Sequence, residues 1–539
     1  MKRYIMICVL ALTSCLWLSG QTRSSKSDIA RNLNIFNAIY KQLQTSYVDT
    51  IDANTTMRNA IDAMLAEIDP YTEYYPDDEQ EDFMSMSTGE YGGIGSFIQQ
   101  RQGQLVTVSQ PREGSPAAKS GLRPGDKFIV IDGDSVVTAT SEQVSGKLKG
   151  QPGTVVDVTV KRPFVEDSIL SFTLTREKIE IQPIPYAGIL ADGKTGYINL
   201  ETFNEKSAEA FKNAFLKMKG NGIERLVIDL RGNGGGILEG AVDILSYFLP
   251  KGTEVLRTRG RGLLNEKVYK TTSKPLDTEI PIAVLIDGNT ASASEILAGA
   301  LQDLDRAVIV GNRSFGKGLV QSTRQLPYNG LLKITIARYY TPSGRCVQAL
   351  DYSHRDADGR VIRTPDSLTN VFYTKNGREV RDGGGITPDV AVQLPEGNRL
   401  VYNLVTEGWT FDYANRFRAT NDTIAAPDRW VLTDSIYADF VEFIDTDKLQ
   451  YDKLCEIITA ELEKAAKQEG YDSPEVAERI KELQGLLKHD FRHDMERHRD
   501  QIERYLASEI IRRYYYDSGV IEENLRHDPV VKAALENLK

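Results

Sequence analysis

The sequence predicts a multidomain α/β protein, in which an α/β core with a largely parallel sheet carries an inserted β-rich domain and is flanked by helical regions at both ends. Three observations predict it. Between residues 180 and 392, strand-like apolar runs alternate with helical patterns, as in "TGYINL", "SAEAFKNAFLKMKG", "RLVIDLRG", "ILEGAVDILSYFLP" and "PIAVLIDG"; such alternation indicates strands joined by crossover helices. From about 90 to 176 the texture is instead short alternating runs broken by glycines. The two ends carry apolar residues at spacings of three and four, the mark of amphipathic helices.

Taken in order, the chain begins with a basic start (Lys2, Arg3) and an apolar run from Ile5 to Leu18. That run is too short to span a bilayer, which takes about 20 residues, and it matches the core of a secretory signal. Cleavage after Gly20 would release a protein beginning at Gln21. Alternatively "LTSC" resembles a bacterial lipobox, and lipidation of Cys15 would tether the protein to a membrane. The apolar "LWL" after Cys15 favours simple cleavage. Either route takes the protein out of the cytoplasm, to the periplasm or cell envelope.

Residues 27–88 read as helical through "IARNLNIFNAIYKQLQTSYV" and "TTMRNAIDAMLAEI", until "DPYTEYYPDDEQEDF" interrupts with prolines and acids. The β-rich stretch then follows in "QLVTVSQP", "DKFIVIDGDSV", "VVDVTVKRP" and "SILSFTLTRE", with one helix-like insert, "TSEQVSGKLKG". After the α/β core, residues from about 400 to 539 are charged and helical. There is no internal repeat or low-complexity tract.

Composition bounds the function. The 539 residues suit about three or four domains, and a net charge of −11 argues against a general nucleic-acid binder. Of four cysteines, Cys8 and Cys15 belong to the leader. Cys346 and Cys455 could pair in an oxidising compartment, though nothing in the sequence requires it. There is no CxxC and no metal-ligand spacing.

Three stretches could carry chemistry. In "DGNTASASEILAGALQDL", residues 287–304, the hydroxyls Thr290, Ser292 and Ser294 fall where a buried strand turns into a helix, and the first N–H groups of that helix lack intrahelical partners. Ser and Thr are ordinary N-caps there, with Glu295 able to complete a capping box. "RLVIDLRGNGGGILEG", residues 225–240, runs a buried strand into Gly232, Gly234, Gly235 and Gly236. Such a turn exposes N–H groups that can bind an oxyanion. It matches neither GxxxxGK[ST] nor GxGxxG, which sets phosphate binding aside. In "NRSFGKGLVQSTRQLPYNGLLKITIARYY", Lys317 lies between two glycines, with Phe315, Leu319 and Val320 as apolar company. A dry lysine loses its proton more easily and can then serve as a base. If a strand begins near Lys317, Gln321 shares its face by period-two alternation.

Histidine is scarce. Of the five, none precedes His354, and His489, His493, His498 and His527 lie in the polar C-terminal region. A histidine triad would need His354 beside Ser292, and the GxSxG elbow of esterases is absent around Ser292.

Taken together, "TASASE", "FGKGLVQ", "DLRGNGGG", "YYTPSGR" and "GGGITPDV" resemble the C-terminal processing, or tail-specific, serine peptidases, over roughly residues 60–392 and with the motifs in order. The resemblance implies a crotonase-like α/β peptidase core, with Ser292 as nucleophile, Lys317 as general base and Gln321 orienting the lysine. It further implies an oxyanion hole from the N–H of Ala293 with Gly234 or Gly235. Thr290 stands where the family often has serine. With Ser292 so employed, the N-cap role passes to Asn289 or Thr290.

The β-rich stretch is similar to a PDZ domain. "YGGIG" would be its carboxylate-binding loop, with Gly93, Ile94 and Gly95 holding a peptide terminus that adds as a strand to a sheet edge. The expected layout is a signal peptide at 1–20, an N-terminal helical region at 21–89 and the PDZ domain at 90–176. The Ser–Lys peptidase core follows at 177–395 and a C-terminal helical domain at 396–539. That last region matches no motif and could dimerise the protein, clamp substrate or meet a partner. The expected activity is endopeptidase cleavage of proteins recruited by their C-termini, with no metal or other cofactor and no nucleic-acid partner. The alternative is a catalytically silent PDZ scaffold.

Overall fold

The computed structural model describes residues 26–538 apart from 167, 262–265, 357, 395–396, 450–453 and 489. The leader, with Lys2, Arg3, Cys8, Cys15 and Gln21, lies outside the described residues. The chain divides into two compact units, residues 1–74 and 75–539. The first holds helices α1 (Lys26–Ser46) and α2 (Ala53–Ala66). Asp52 caps α2 by accepting the Thr55 N–H at 2.7 Å.

The second unit opens with a short helix, Gln80–Thr88, followed by the β-rich module. Strands β1 (Ser96–Gln99), β2 (Thr107–Pro111), β3 (Lys127–Ile131), β4 (Val155–Lys161) and β5 (Ile169–Thr175) pair antiparallel in that order, which leaves β1 on an edge. The module carries two helices, not the single one expected: α3 (Pro116–Ser120) and α4 (Ser141–Leu148). The short α3 hides in "SPAAKSG", where Ser115 caps, Pro116 opens and Gly121 closes the helix at φ 88°. Alternation buries Val156, Val158 and Val160 of β4 against Phe128, Ile131 and Val144, which is the period-two pattern of the sequence made solid.

The core sheet runs β6 (Tyr186–Ile189), β7 (Thr195–Asn199), β8 (Arg225–Asp229), β11 (Ile282–Ile286), β12 (Val308–Gly311) and β15 (Val390–Ala391). All its pairs are parallel except β6 with β7. Helices α5 (Ser207–Gly220), α6 (Leu238–Ser246) and α7 (Ala293–Asp303) connect its strands. An antiparallel sheet beside it carries β10 (Glu266–Lys270), β9 (Glu254–Gly260), β14 (Leu331–Tyr340) and β13 (Leu319–Gln325) in that order.

Because the core strands are apolar on both faces, both faces must be covered. Leu226, Ile228, Ile282, Val284 and Ile286 face α5–α7. Val227, Ala283, Leu285 and Val310 face the other way, against Val530, Val531 and Ala534 of the last helix, α15 (Pro529–Asn537). The chain's end therefore completes the core it began more than 300 residues earlier.

The remaining helices are α8 (Arg399–Thr406), α9 (Trp409–Thr420), α10 (Asp434–Phe443), α11 (Leu454–Glu469), α12 (Pro474–Leu486), α13 (Phe491–Arg497) and α14 (Arg499–Asn524). Leu404, Tyr413, Phe440, Leu506 and Ile510 build a separate core among them. Cys346 and Cys455 are both free thiols, so the pairing left open by the sequence does not form.

Candidate active site

Loops at the carboxyl ends of β8 and β11 meet the loop leading into β13, and these three segments hold the candidate residues. Strand β11 ends at Ile286, and Asp287 turns the chain: its Oδ1 accepts the N–H groups of Gly232, Asn289 and Thr290 at 3.0–3.1 Å. Thr290 Oγ1 donates to the Leu230 carbonyl at 2.9 Å. Thr290 thus locks the turn to β8 and does not cap α7.

The residue at the N-cap of α7 is Ser292 itself, against the expectation that Asn289 or Thr290 would take that place. Its φ of 57° and ψ of −117° explain why capping rules misplace it, since caps normally sit in the extended region. A non-glycine residue in this conformation carries about 1–3 kcal/mol of strain and persists only when its surroundings impose it. Here they do. The Ala291 N–H donates to the Asn233 carbonyl at 3.0 Å, and the Ser292 N–H to Glu295 Oε2 at 3.0 Å. The Ser292 carbonyl accepts from the Ile296 N–H at 3.0 Å and from the buried Tyr339 hydroxyl at 3.2 Å.

Glu295 was legible only as a local capping partner, yet it joins two loops. Fully buried, it accepts from Ser314 Oγ (2.5 Å) and the Gly316 N–H (2.8 Å) on Oε1. On Oε2 it accepts from the Ser292 N–H and, at 2.8 Å, the Lys317 N–H. Burial holds its carboxyl above the ordinary carboxylate range, and the four donors oppose that shift without cancelling it. The three N–H groups among these donors favour the carboxylate form.

Asn233 is the second residue that the sequence did not single out. Completely buried, it donates Nδ2 to the Leu200 carbonyl (2.7 Å) and accepts the Gly235 N–H on Oδ1 (2.8 Å). Its own carbonyl takes both the Ala291 N–H and Ser294 Oγ at 3.0 Å. The only sequence signal for it was its place inside the glycine turn.

This bonding separates the two glycines that were left undecided for the oxyanion hole. The Gly235 N–H is spent on Asn233, which corrects its candidacy. The N–H groups of Gly234 and Ala293 donate to nothing among the described residues. Gly235 matters for shape instead. At φ 103°, a Cβ there would lie 2.8 Å from both the Ala291 carbonyl oxygen and Ser292 Cβ. We expect Gly235→Ala to push the Ser292 turn out of place, lowering kcat by about 100-fold or more, as a misplacement of about 1 Å does, and lowering the melting temperature. A variant that melts and turns over like wild type would contradict this packing.

Lys317 is half-buried, while Phe315, expected to shield it, is exposed. Strand β13 starts at Leu319, after Lys317, and a register shift falls between Val320 and Gln321. The alternation argument relating Lys317 to Gln321 therefore fails. Gln321 Nε2 donates across the hairpin to Thr335 Oγ1 at 3.1 Å. The hairpin itself turns at Tyr328 and Asn329, both at positive φ. His354 sits on an exposed strand, Leu350–Arg355, paired with Asp351 at 2.7 Å.

In the β-rich module, Glu90–Gly93 pairs with Glu177–Glu180, and Gly95 turns the chain at φ 72° into edge strand β1. The carbonyls of Ile94 and Gly95 are bonded inward, to the Ala117 N–H (2.9 Å) and to Ser115 Oγ (2.9 Å). Their N–H groups donate to nothing among the described residues.

Comparison with known proteins places these parts. Residues 194–353 match the model of peptidase family S41, residues 107–162 a PDZ domain, and residues 400–538 a family described as the C-terminal helical domain of probable PDZ-proteases. The carboxy-terminal-processing protease of Bartonella bacilliformis is 36% identical over 333 residues, 61% of this chain and 75% of that protein. A probable CtpA-like serine protease of Staphylococcus aureus is 32% identical over 61% of this chain and 64% of its own length. Among solved structures, a photosystem II D1 C-terminal processing protease aligns with 27% identity and a TM-score of 0.37, covering 66% of this chain and 86% of that one. The strained serine turn lies inside the matched peptidase region, and the similarity extends over three quarters of a relative that is 36% identical: the chain belongs to the carboxy-terminal-processing proteases of peptidase family S41 and is a serine-type peptidase with a PDZ domain.

Proposed function

We propose that this protein is an exported endopeptidase that cleaves peptide bonds through a Ser292–Lys317 dyad and recruits substrates by their C-termini through the PDZ domain. The observation that carries the reading is Glu295 Oε2, which accepts from the Ser292 N–H and the Lys317 N–H together, so one buried atom holds both backbone segments. Ser292 Oγ attacks the scissile carbonyl carbon as its proton passes to the neutral Lys317 amine. The carbonyl oxygen takes up the negative charge facing the N–H groups of Ala293 and Gly234. On collapse the C–N bond breaks and the leaving amine takes the proton from Lys317. Water then attacks the acyl-enzyme, giving a proton to Lys317; the bond from the acyl carbon to Ser292 Oγ breaks, Oγ takes that proton back from Lys317, and the product leaves with a free carboxyl group. With Nε2 turned to Thr335, Gln321 offers its carbonyl oxygen to orient the lysine. A substrate terminus would place its carboxylate at the Ile94 and Gly95 N–H groups and extend along edge strand β1.

The test is cleavage of an unfolded protein, with fragments read by mass spectrometry. Lys317→Ala should lose about 10³-fold or more in rate, and Lys317→Arg should not rescue it, because a guanidinium does not give up its proton. A folded Lys317→Ala that cleaves like wild type would refute the dyad. A folded wild type that binds C-terminal peptides without cutting would favour the silent scaffold. Export is checked by the intact mass of protein from the cell envelope: a start at Gln21 or a lipidated Cys15 supports it, and a chain retaining Met1 in the cytoplasm refutes it.

A further inference from the structure

A cavity of about 230 Å³ lies on the seam between the PDZ domain and the terminal helices. Arg123 and Arg162 of the PDZ domain, Arg418 of α9, and Arg512 and Arg513 of α14 line it, and no aspartate or glutamate does. Gathering guanidinium groups without acids between them costs repulsion, most of all where water is partly excluded.

Three of the five are answered by acids outside the wall. Arg162 pairs with Asp126 at 2.7 Å, Arg512 with Glu509 (2.5 Å) and Asp517 (3.0 Å), and Arg513 with Glu509 (3.0 Å). Among the described residues Arg418 has the Asn421 carbonyl at 3.1 Å, the fully exposed Asp422 at 3.5 Å and the side chain of Tyr514, whose ring lies under its guanidinium. Arg123 has no side-chain hydrogen bond or ion pair among the described residues. Burial, then the nearby charges of Arg162 and Arg418, hold its pKa below the ordinary arginine value.

The same cavity is lined by Asn415, which is 7% exposed. Its Oδ1 accepts from Arg513 Nε at 2.7 Å, while its Nδ2 has no acceptor. Buried polar groups normally find partners. Nδ2 is itself closed off, packed beside Gly125, so the groups that face the cavity without full compensation are the two arginines, and the ligand they call for is negatively charged.

We propose that this cavity binds a small multivalent oxyanion of the phosphate or sulfate class, held by Arg123 and Arg418. Planar guanidinium forks suit tetrahedral oxyanions, and a pocket of about 230 Å³ has room for a small anion. Its two holders come from the PDZ domain and the terminal helices, so the bound anion clamps the two together.

The test titrates the full-length mature protein with inorganic phosphate at constant ionic strength, by calorimetry and thermal melting. Phosphate should bind saturably and raise the melting temperature, sulfate should do likewise, and chloride at matched ionic strength should not. Arg123→Gln and Arg418→Gln should each weaken phosphate binding about tenfold or more, without lowering the anion-free melting temperature, because they relieve repulsion. Asn415→Asp keeps the acceptor for Arg513 and brings the missing charge in on the chain. It should abolish phosphate binding and raise the anion-free melting temperature. Equal effects of chloride and phosphate would overturn the proposal, as would variants that bind phosphate like wild type.

Discussion

Replacing Ser292 with glycine is expected to give a protein that cleaves nothing and melts at a higher temperature. Removing the hydroxyl takes away the proposed nucleophile, and loss of a serine nucleophile costs about 10⁴-fold or more in kcat. The stability gain comes from the backbone. At φ 57° and ψ −117° the Ser292 Cβ is crowded, and glycine occupies such conformations freely. Strain of about 1–3 kcal/mol, less about 0.5–1 kcal/mol for the freer unfolded glycine, leaves roughly 1 kcal/mol in favour of the variant.

Ser292→Ala is the control that separates the two effects. It is equally inactive but keeps the Cβ and therefore the strain, so its melting temperature should stay near wild type. The comparison is best made on the shift of one calorimetric transition, because a chain with several cores need not unfold in two states. If glycine proves no more stable than alanine at this position, the turn is not strained and the argument from backbone to nucleophile falls.

The same residue shows where the sequence was legible and where it was not. The strand–turn–helix junction around Ser292 could be read from "PIAVLIDG" and the apolar spacing after it, because both depend on neighbours in the chain. The left-handed conformation could not, since Asn233 and Tyr339 impose it from elsewhere in the fold, with Glu295 adding a local bond. Asn233 collects partners from Leu200, Gly235, Ala291 and Ser294, three separate segments that no local pattern links. The Lys317–Gln321 relation was misread for a similar reason: alternation holds within a strand, and Lys317 precedes the strand while a register shift precedes Gln321. The PDZ strands were readable because their burial alternates. The second cover of the core sheet, by α15, was not, because nothing in a helix 300 residues away names the face it will meet.

Glu295 carries the second large effect. In Glu295→Gln one oxygen becomes an amide NH₂, which cannot accept. Placed at the Oε2 position, it faces the N–H groups of Ser292 and Lys317. Placed at Oε1, it faces the Gly316 N–H and Ser314, whose hydroxyl already accepts the Ile386 N–H at 2.6 Å. Either way at least one buried N–H is orphaned, at about 1–3 kcal/mol, and bonds to a charged acceptor become weaker neutral ones. A loss of about 2–4 kcal/mol in stability is expected, with a folded chain remaining at low temperature. The larger effect is on rate, because the two segments that bring hydroxyl and amine together in the proposed dyad lose their common anchor. We expect kcat for unfolded-protein cleavage to fall at least about 100-fold, while binding of a C-terminal peptide to the PDZ domain, followed by fluorescence anisotropy, stays as in wild type. A merely structural glutamate would lower stability and leave the rate per folded molecule unchanged, and that result would remove Glu295 from the catalytic geometry. Glu295→Ala, which orphans all four donors and leaves a cavity, should fail to fold stably. The glutamine variant is therefore the one that separates position from stability.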